Sequence, residues 1–161
     1  MIRGAWHMSF TVRDLERSVA WYTDLLGLEY VHGQEQANAY TRRLVGFPDA
    51  HLKVAQLRIP GAALARSRHH LELVEYVAPW GHALDLATNN VGVAHLAFEV
   101  DDIHALHDRL RARGVRFKAD APNAITEGVN RGGYSIYFLD PDGITLELVQ
   151  PPPETTDDGW A

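Results

Sequence analysis

The sequence contains no cysteine among its 161 residues. A disulfide framework, a thiolate metal site and a cysteine nucleophile are therefore all excluded. It also lacks an apolar run near the length of about 20 residues that spans a bilayer. Its first residues, Met1–Trp6, lack the apolar core of a signal peptide, so we expect a cytoplasmic protein that does not bind membranes.

An excess of positive charge is missing as well. The 15 lysines and arginines are outnumbered by 21 aspartates and glutamates, which leaves a formal net charge of -6. Nucleic acids and anionic membranes favour basic surfaces, so neither is expected as a partner. The hydrophobic content of 46% is typical of a globular protein with a buried core. This charge balance does not exclude anionic small ligands that are held by a few local arginines.

The sequence does contain an internal repeat. The segment His7–Leu15 is matched by His95–Ile103, and Leu71–Val74 is matched by Leu146–Val149. Each copy thus begins with a histidine and ends with a Leu-Glu-Leu-Val run. A repeat of this kind predicts two supersecondary modules, neither of which buries its sheet alone.

Each module is predicted to have the order β-α-β-β-β. Alternating apolar residues predict the strands, and helical spacing after Asp14 and Asp102 predicts two helices that stop at Gly27 and Gly114. The predicted strands are residues 6–12, 29–32, 52–59, 70–76, 94–100, 115–119, 134–139 and 144–150. An insertion in the first module, Gln34–Phe47, is predicted to form a short helix.

These elements predict an α+β fold made of two tandem βαβββ modules. The modules are expected at residues 5–77 and 93–151, joined by an exposed loop at 78–92 and followed by a flexible tail at 152–161. Together they are expected to form a curved, mostly antiparallel eight-stranded sheet around a metal-binding cavity.

Four polar side chains are predicted to point away from the helix-packed core. By strand parity, His7 and His95 lie opposite bulky apolar neighbours, and so do Glu72 and Glu147. A single histidine in a strand is usually structural, but a buried carboxylate is costly unless it is paired or bound to a metal. The matched recurrence of both residue types therefore favours one metal site.

Several motifs resemble those of the vicinal oxygen chelate superfamily. They are the strands that begin with His7 and His95, the Tyr-x-x-x-Leu-Gly-Leu motif at Tyr22–Leu28, and the segment Tyr137–Glu147 with its Asp-Pro-Asp-Gly turn. The superfamily includes glyoxalase I, methylmalonyl-CoA epimerase, extradiol dioxygenases, and bleomycin and fosfomycin resistance proteins. The resemblance covers about Ala5 to Pro151. It implies one divalent ion (Ni, Co, Zn, Mn or Fe) held by His7, Glu72, His95 and Glu147.

The four-ligand set is most similar to glyoxalase I and methylmalonyl-CoA epimerase. Extradiol dioxygenases and fosfomycin resistance proteins leave the position of Glu72 without a ligand. The resemblance thus implies a lyase, isomerase or epimerase in which the metal stabilises an enolate and Glu147 or Glu72 is the base. Bacterial glyoxalase I binds glutathione with an arginine and an asparagine at the positions of Thr11 and Tyr76, so lactoylglutathione lyase activity is not predicted.

Other residues are ranked below these four. The predicted substrate contacts are Tyr137, Arg131, Trp80, Thr11 and Tyr76. Surface or minor roles are predicted for His69, His70, Glu75, His104 and His107. A homodimer is expected from the resemblance. Two alternatives stay open, a ring-cleaving dioxygenase if the metal is iron, and a metal-free binding protein of the bleomycin resistance type.

Overall fold

The computed structural model describes residues 1–64 and 66–153. The chain divides into two compact units, Met1–Leu84 and Asp85–Ala161. The predicted flexible tail lies, from residue 154 onwards, outside the described residues. No helix in the described part of the chain is long and apolar enough to cross a membrane.

The described residues of the first unit form four strands and two helices. They are β1 (Met8–Thr11), α1 (Leu15–Leu26), β2 (Glu29–Gln36), α2 (Ala39–Val45), β3 (His51–Arg58) and β4 (Leu71–Ala78). The strands form one sheet in the order β1-β4-β3-β2. β1 runs parallel to β4, and the other neighbours are antiparallel.

The second unit repeats this arrangement, with one helix among its described residues. Its elements are β5 (Leu96–Glu99), α3 (Ile103–Ala112), β6 (Arg116–Phe117), β7 (Asn123–Ala124), β8 (Tyr134–Leu139) and β9 (Thr145–Gln150). The sheet order is β5-β9-β8-β6, and β7 also pairs with β8. β5 runs parallel to β9, as β1 does to β4. The α+β fold class and the repeated module are therefore confirmed.

Some element bounds differ from the prediction. β2 extends to Gln36, where its register with β3 ends opposite Leu52, so the insertion contributes a helix only at Ala39–Val45. Residues 33–36 carry no apolar alternation, and their strand conformation comes from main-chain pairing with β3. The strand predicted at 115–119 is reduced to β6, and β7 is an additional strand that was not predicted.

The two long helices begin where the aspartates predict. Asp14 Oδ1 accepts the Arg17 N–H at 2.9 Å, and Asp102 Oδ1 accepts the Ala105 N–H at 2.9 Å. α1 ends at Gly27, whose φ of 73° lies in the left-handed region that glycine adopts without strain. In both units the cap aspartate therefore accepts one of the first-turn N–H groups that have no partner inside the helix.

A second cap comes from the last strand of each unit. Glu75 Oε2 on β4 accepts the Leu15 N–H at 2.9 Å. In the same way, Gln150 Oε1 on β9 accepts the Ile103 N–H at 2.9 Å. The prediction that Glu75 is only a surface charge was wrong, because its carboxylate satisfies a helix N-terminus.

The prediction for His107 was also wrong. It was expected on a solvated helix face, but it is buried, and its ring centroid lies 4.6 Å from that of Phe117. The helical spacing places it on the same stripe as Ile103 and Leu110, which are fully buried. His107 is therefore part of the contact between α3 and the neighbouring β6.

The caps give a direct test of the fold. Replacing Asp102 with alanine removes the acceptor for the Ala105 N–H, and we expect the free energy of unfolding to fall by about 0.5–2 kcal/mol. The neighbouring exposed Asp101 makes no cap, so Asp101→Ala is the matched control. Chemical denaturation of both variants measures the difference. Equal losses in the two variants would contradict the assignment of the cap.

Candidate metal centre

Strand alternation determines which side chains are available for a site. In β4, Leu71 and Leu73 are fully buried, whereas the side chain of Glu72 between them is 19% exposed. In β9, Leu146 and Leu148 are buried in the same way, and the side chain of Glu147 is 16% exposed. Both glutamates therefore lie on the sheet face opposite the buried leucines, as the sequence predicts.

The first unit brings His7 and Glu72 together. His7 directly precedes β1, in which Ser9 is the register partner of Glu72. The Nε2 atom of His7 and the Oε1 atom of Glu72 are 3.6 Å apart, and both side chains are partly exposed. The separation is short enough for both atoms to bind one ion, since ligand bonds to zinc are about 2.0–2.2 Å long.

The second unit brings His95 and Glu147 together in the equivalent way. His95 directly precedes β5, in which Ala97 is the register partner of Glu147. The Nε2 atom of His95 and the Oε2 atom of Glu147 are 3.1 Å apart. Each unit therefore presents one imidazole and one carboxylate at corresponding positions of its sheet.

His69 is a member of the first cluster that the sequence pattern did not reveal. Its Nε2 atom lies 3.1 Å from His7 Nδ1, and the residue is only 2% exposed. His7, His69 and Glu72 each offer one ligand atom, and these atoms lie within 4.8 Å of one another. His69 precedes β4, where no strand alternation exists to assign it a face. The sequence analysis did not place this residue beside His7 and Glu72.

Tyr137 lies beside the second pair. It is the register partner of Glu147 across β8 and β9, and its ring centroid is 5.1 Å from that of His95. Burial, and to a lesser extent the negative charge of Glu147, raise the pKa of Tyr137 above its ordinary value. The hydroxyl therefore keeps its proton and can donate a hydrogen bond. In the first unit the same register position, opposite Glu72, holds Gln56.

Thr11 and Tyr76 lie on the same sheet face as Glu72. Thr11 is the register partner of Val74, two residues beyond Glu72. Tyr76 packs against an apolar cluster formed by Leu52, Val54 and Val74, together with Val45 of α2. Its ring also makes an edge contact with Phe47, with centroids 6.1 Å apart. An apolar cluster therefore lies next to the His7–Glu72 pair, and neither of these two positions carries a cationic side chain.

The remaining predicted contacts are exposed. Trp80 is held by Arg13, whose guanidinium lies 4.4 Å from the ring centroid and donates to the Gly81 carbonyl at 3.0 Å. Arg131 lies in a turn, where its backbone N–H donates to the Gly128 carbonyl. Within the described residues, neither forms a hydrogen bond or ion pair with the candidate ligands of its own unit. Their roles as substrate contacts stay predictions.

The donor set fits a borderline divalent metal ion. Imidazole nitrogens are suitable ligands for zinc, copper, iron and nickel. Carboxylate oxygens are suitable ligands for manganese and magnesium. His7 Nε2 and His95 Nε2 each face a carboxylate oxygen on a half-exposed surface. This arrangement is open to a ligand from solution, as a catalytic metal site requires.

The position of Tyr137 predicts a measurable change in its ionisation. In metal-free protein, Glu147→Gln removes the nearby negative charge, so the pKa of Tyr137 should fall towards the ordinary value of about 10. It should stay above that value because burial is the larger cause. The change is measured as tyrosinate absorbance against pH, with the signal of a Tyr137→Phe variant subtracted.

Glu127→Gln is the control, because Glu127 is an exposed carboxylate in a loop. It should leave the titration of Tyr137 unchanged. A pKa for Tyr137 that is the same in the Glu147→Gln variant and the unmodified protein would contradict the contact between these two residues.

Comparisons with known proteins identify the family of the chain. The family model of the glyoxalase/bleomycin resistance protein/dioxygenase superfamily matches residues 5–148. A 2-epi-5-epi-valiolone epimerase of Actinomyces sp is 35% identical over 150 residues, which cover 91% of this chain and 78% of that protein. A probable lactoylglutathione lyase of Vibrio parahaemolyticus is 29% identical over 148 residues, which cover 89% of this chain and 88% of that protein.

A solved structure shares the fold. The crystal structure of a glyoxalase family protein from Bacillus cereus superposes with a TM-score of 0.77 at 18% identity, and the match covers 94% of this chain and 96% of that one. The motifs, the repeated βα-sheet units and the family match agree. The chain belongs to the glyoxalase/bleomycin resistance protein/dioxygenase superfamily.

Proposed function

We propose that this protein is a metal-dependent epimerase that moves a proton on a carbon alpha to a carbonyl group. His7, Glu72, His95 and Glu147 are the proposed ligands of one divalent ion (Ni, Co, Zn, Mn or Fe). The observation that carries the proposal is the matched pair of imidazole and carboxylate in each unit, with Nε2–Oε separations of 3.6 and 3.1 Å. Each pair lies on the sheet face opposite the buried leucines of its unit.

The ion, when bound, supplies Lewis acidity that polarises a substrate carbonyl and lowers the pKa of the adjacent C–H bond. The protein supplies the proton transfer. One carboxylate, Glu72 or Glu147, accepts the proton from the alpha carbon. The other takes up a proton from solvent and returns it to the opposite face of the same carbon, while the first releases its proton to solvent, so the configuration inverts and no redox cofactor is consumed.

Tyr137 is proposed to orient the substrate beside Glu147. Its raised pKa keeps the phenol neutral, so the hydroxyl can donate to a substrate oxygen over the whole neutral range. Its ring also lies against the imidazole of His95, with centroids 5.1 Å apart. A donor at this place favours a substrate with a hydroxyl or carbonyl oxygen next to the reacting carbon.

Epimerisation is favoured over the lactoylglutathione lyase reaction. The relative with 35% identity over 91% of this chain is an epimerase. Thr11 is uncharged, and Tyr76 packs against Phe47 and the cluster of Leu52, Val54 and Val74. Neither residue therefore supplies the charged and amide groups that are expected for binding glutathione. The small-molecule substrate, a homodimeric state and a cytoplasmic location stay predictions.

The proposal predicts the effect of removing one carboxylate. Glu147→Gln should abolish most of the bound metal and lower the rate of epimerisation by about 10²–10⁴-fold, the usual contribution of a general acid or base. The assay incubates the protein with 2-epi-5-epi-valiolone in deuterated water and detects deuterium at the inverted carbon. Metal content is measured in parallel by elemental analysis of protein without a histidine tag.

Glu127→Gln serves as the matched control, since it makes the same chemical change on an exposed loop. It should retain both the metal and the activity. Unchanged metal content in the Glu147→Gln variant would contradict the ligand assignment. Conversion of the methylglyoxal–glutathione hemithioacetal, with no exchange in 2-epi-5-epi-valiolone, would replace the epimerase by a glyoxalase reaction.

A further inference from the structure

We infer that His69 is a positioning residue that selects the tautomer of His7 and so presents the Nε2 atom of His7 as a metal ligand. This inference rests on the proposed metal site. Ligand histidines bind through one ring nitrogen, and the group bonded to the other nitrogen sets the tautomer and the orientation of the ring. His69 occupies that second position for His7, with Nε2 of His69 lying 3.1 Å from Nδ1 of His7.

The direction of the hydrogen bond between the two imidazoles follows from the bond that His69 makes with Ser67. His69 Nδ1 lies 3.1 Å from the carbonyl oxygen of Ser67. A carbonyl oxygen only accepts, so Nδ1 of His69 carries the hydrogen and donates it. In the neutral ring the Nε2 atom of His69 then has a free lone pair and accepts a hydrogen bond.

This acceptor determines the state of His7. Nδ1 of His7 must donate to Nε2 of His69, which leaves Nε2 of a neutral His7 without a hydrogen. The bare nitrogen is the atom that lies 3.6 Å from Glu72 Oε1.

The backbone on both sides of His7 is attached to the same loop. The Met8 N–H donates to the His70 carbonyl at 2.9 Å. The Ser67 hydroxyl lies 2.7 Å from the Trp6 carbonyl and 3.0 Å from the His69 carbonyl, so it can donate to either. The two rings are thus carried by chain segments that are bonded to each other, which holds the imidazole pair in register.

Among the described residues of the second unit, no equivalent of this arrangement is present. His69 lies three residues before Glu72, and the residue three before Glu147 is Ile144, whose side chain cannot form a hydrogen bond. There the histidine ligand lies against the ring of Tyr137 instead. The proposed selection of a tautomer by a neighbouring histidine therefore applies to His7 alone, and His95 in the same molecule serves as its control.

Two substitutions at position 69 separate a positioning role from a packing role. In His69→Gln, the amide has one donor and one acceptor and can bridge Ser67 and His7 as the imidazole does. In His69→Phe, the ring volume is largely kept but both hydrogen bonds are lost. Long-range proton–nitrogen NMR spectra of the metal-free proteins report which nitrogen of His7 carries the hydrogen.

We expect the Nδ1–H tautomer of His7 in the unmodified protein and in His69→Gln, and a mixture of tautomers in His69→Phe. The affinity for added Zn²⁺ should fall about 10–100-fold in His69→Phe, the usual effect of losing such a partner, and change little in His69→Gln. The tautomer of His95 should be the same in all three proteins. A Nε2–H tautomer of His7 in the unmodified protein would overturn the inference, even if His69→Phe does not fold.

A third outcome would assign His69 a different role. If His69→Gln loses as much affinity as His69→Phe, and the spectrum of the cobalt-substituted protein changes in both, then His69 is itself a ligand and the positioning role is wrong. If the unmodified protein binds no metal, the proposed function fails alone, because the tautomers of the metal-free protein still decide the role of His69.

Discussion

The alternation of side chains along β4 and β9 is the constraint on which the candidate site depends. Burying a leucine stabilises the fold by about 1.5–3 kcal/mol, and each strand buries two of them on one face. A shift of either strand by one residue would expose these leucines and bury the glutamate, and an uncompensated buried charge costs several kcal/mol more. The core thus holds Glu72 and Glu147 on the opposite face, whether or not a metal is bound.

The same two strands also hold the helices. Glu75 lies three residues after Glu72 and caps α1, and Gln150 lies three residues after Glu147 and caps α3. Because three residues reverse the side of the strand, the caps are on the leucine side and the ligands on the other. Each strand therefore connects the helix of its unit to the candidate ligand through the backbone of a paired strand, which favours a preorganised site.

The units differ where specific chemistry is expected. Glu72 faces Gln56 across the sheet and its histidine partner is bonded to His69, whereas Glu147 faces Tyr137. The two carboxylates accordingly have different surroundings although they stand at corresponding positions. Such a difference suits a reaction in which one carboxylate removes a proton and the other returns one.

Local patterns in the sequence predicted much of the fold and part of the site. The alternation around Glu72 and Glu147 predicted which sheet face their side chains lie on. Asp14 and Asp102 predicted where the two helices begin, because capping and alternation act within a few residues. The identity of the residues opposite the glutamates, Gln56 and Tyr137, depends on the register of the strands. The contact between His69 and His7 depends on a loop that is 62 residues away in the sequence. The extension of β2 has the same origin, since pairing with β3 overrides its weak local preference.

The measurement that tests the central claim most directly is X-ray absorption spectroscopy, combined with metal quantification, on the untagged protein reconstituted with one divalent metal. The account predicts one ion per chain, bound by two imidazoles and by oxygen ligands. Two ions per chain, each with a single imidazole, would mean that the pairs act as separate sites. No bound ion after reconstitution would contradict the metal site and favour a protein that only binds its small-molecule ligand.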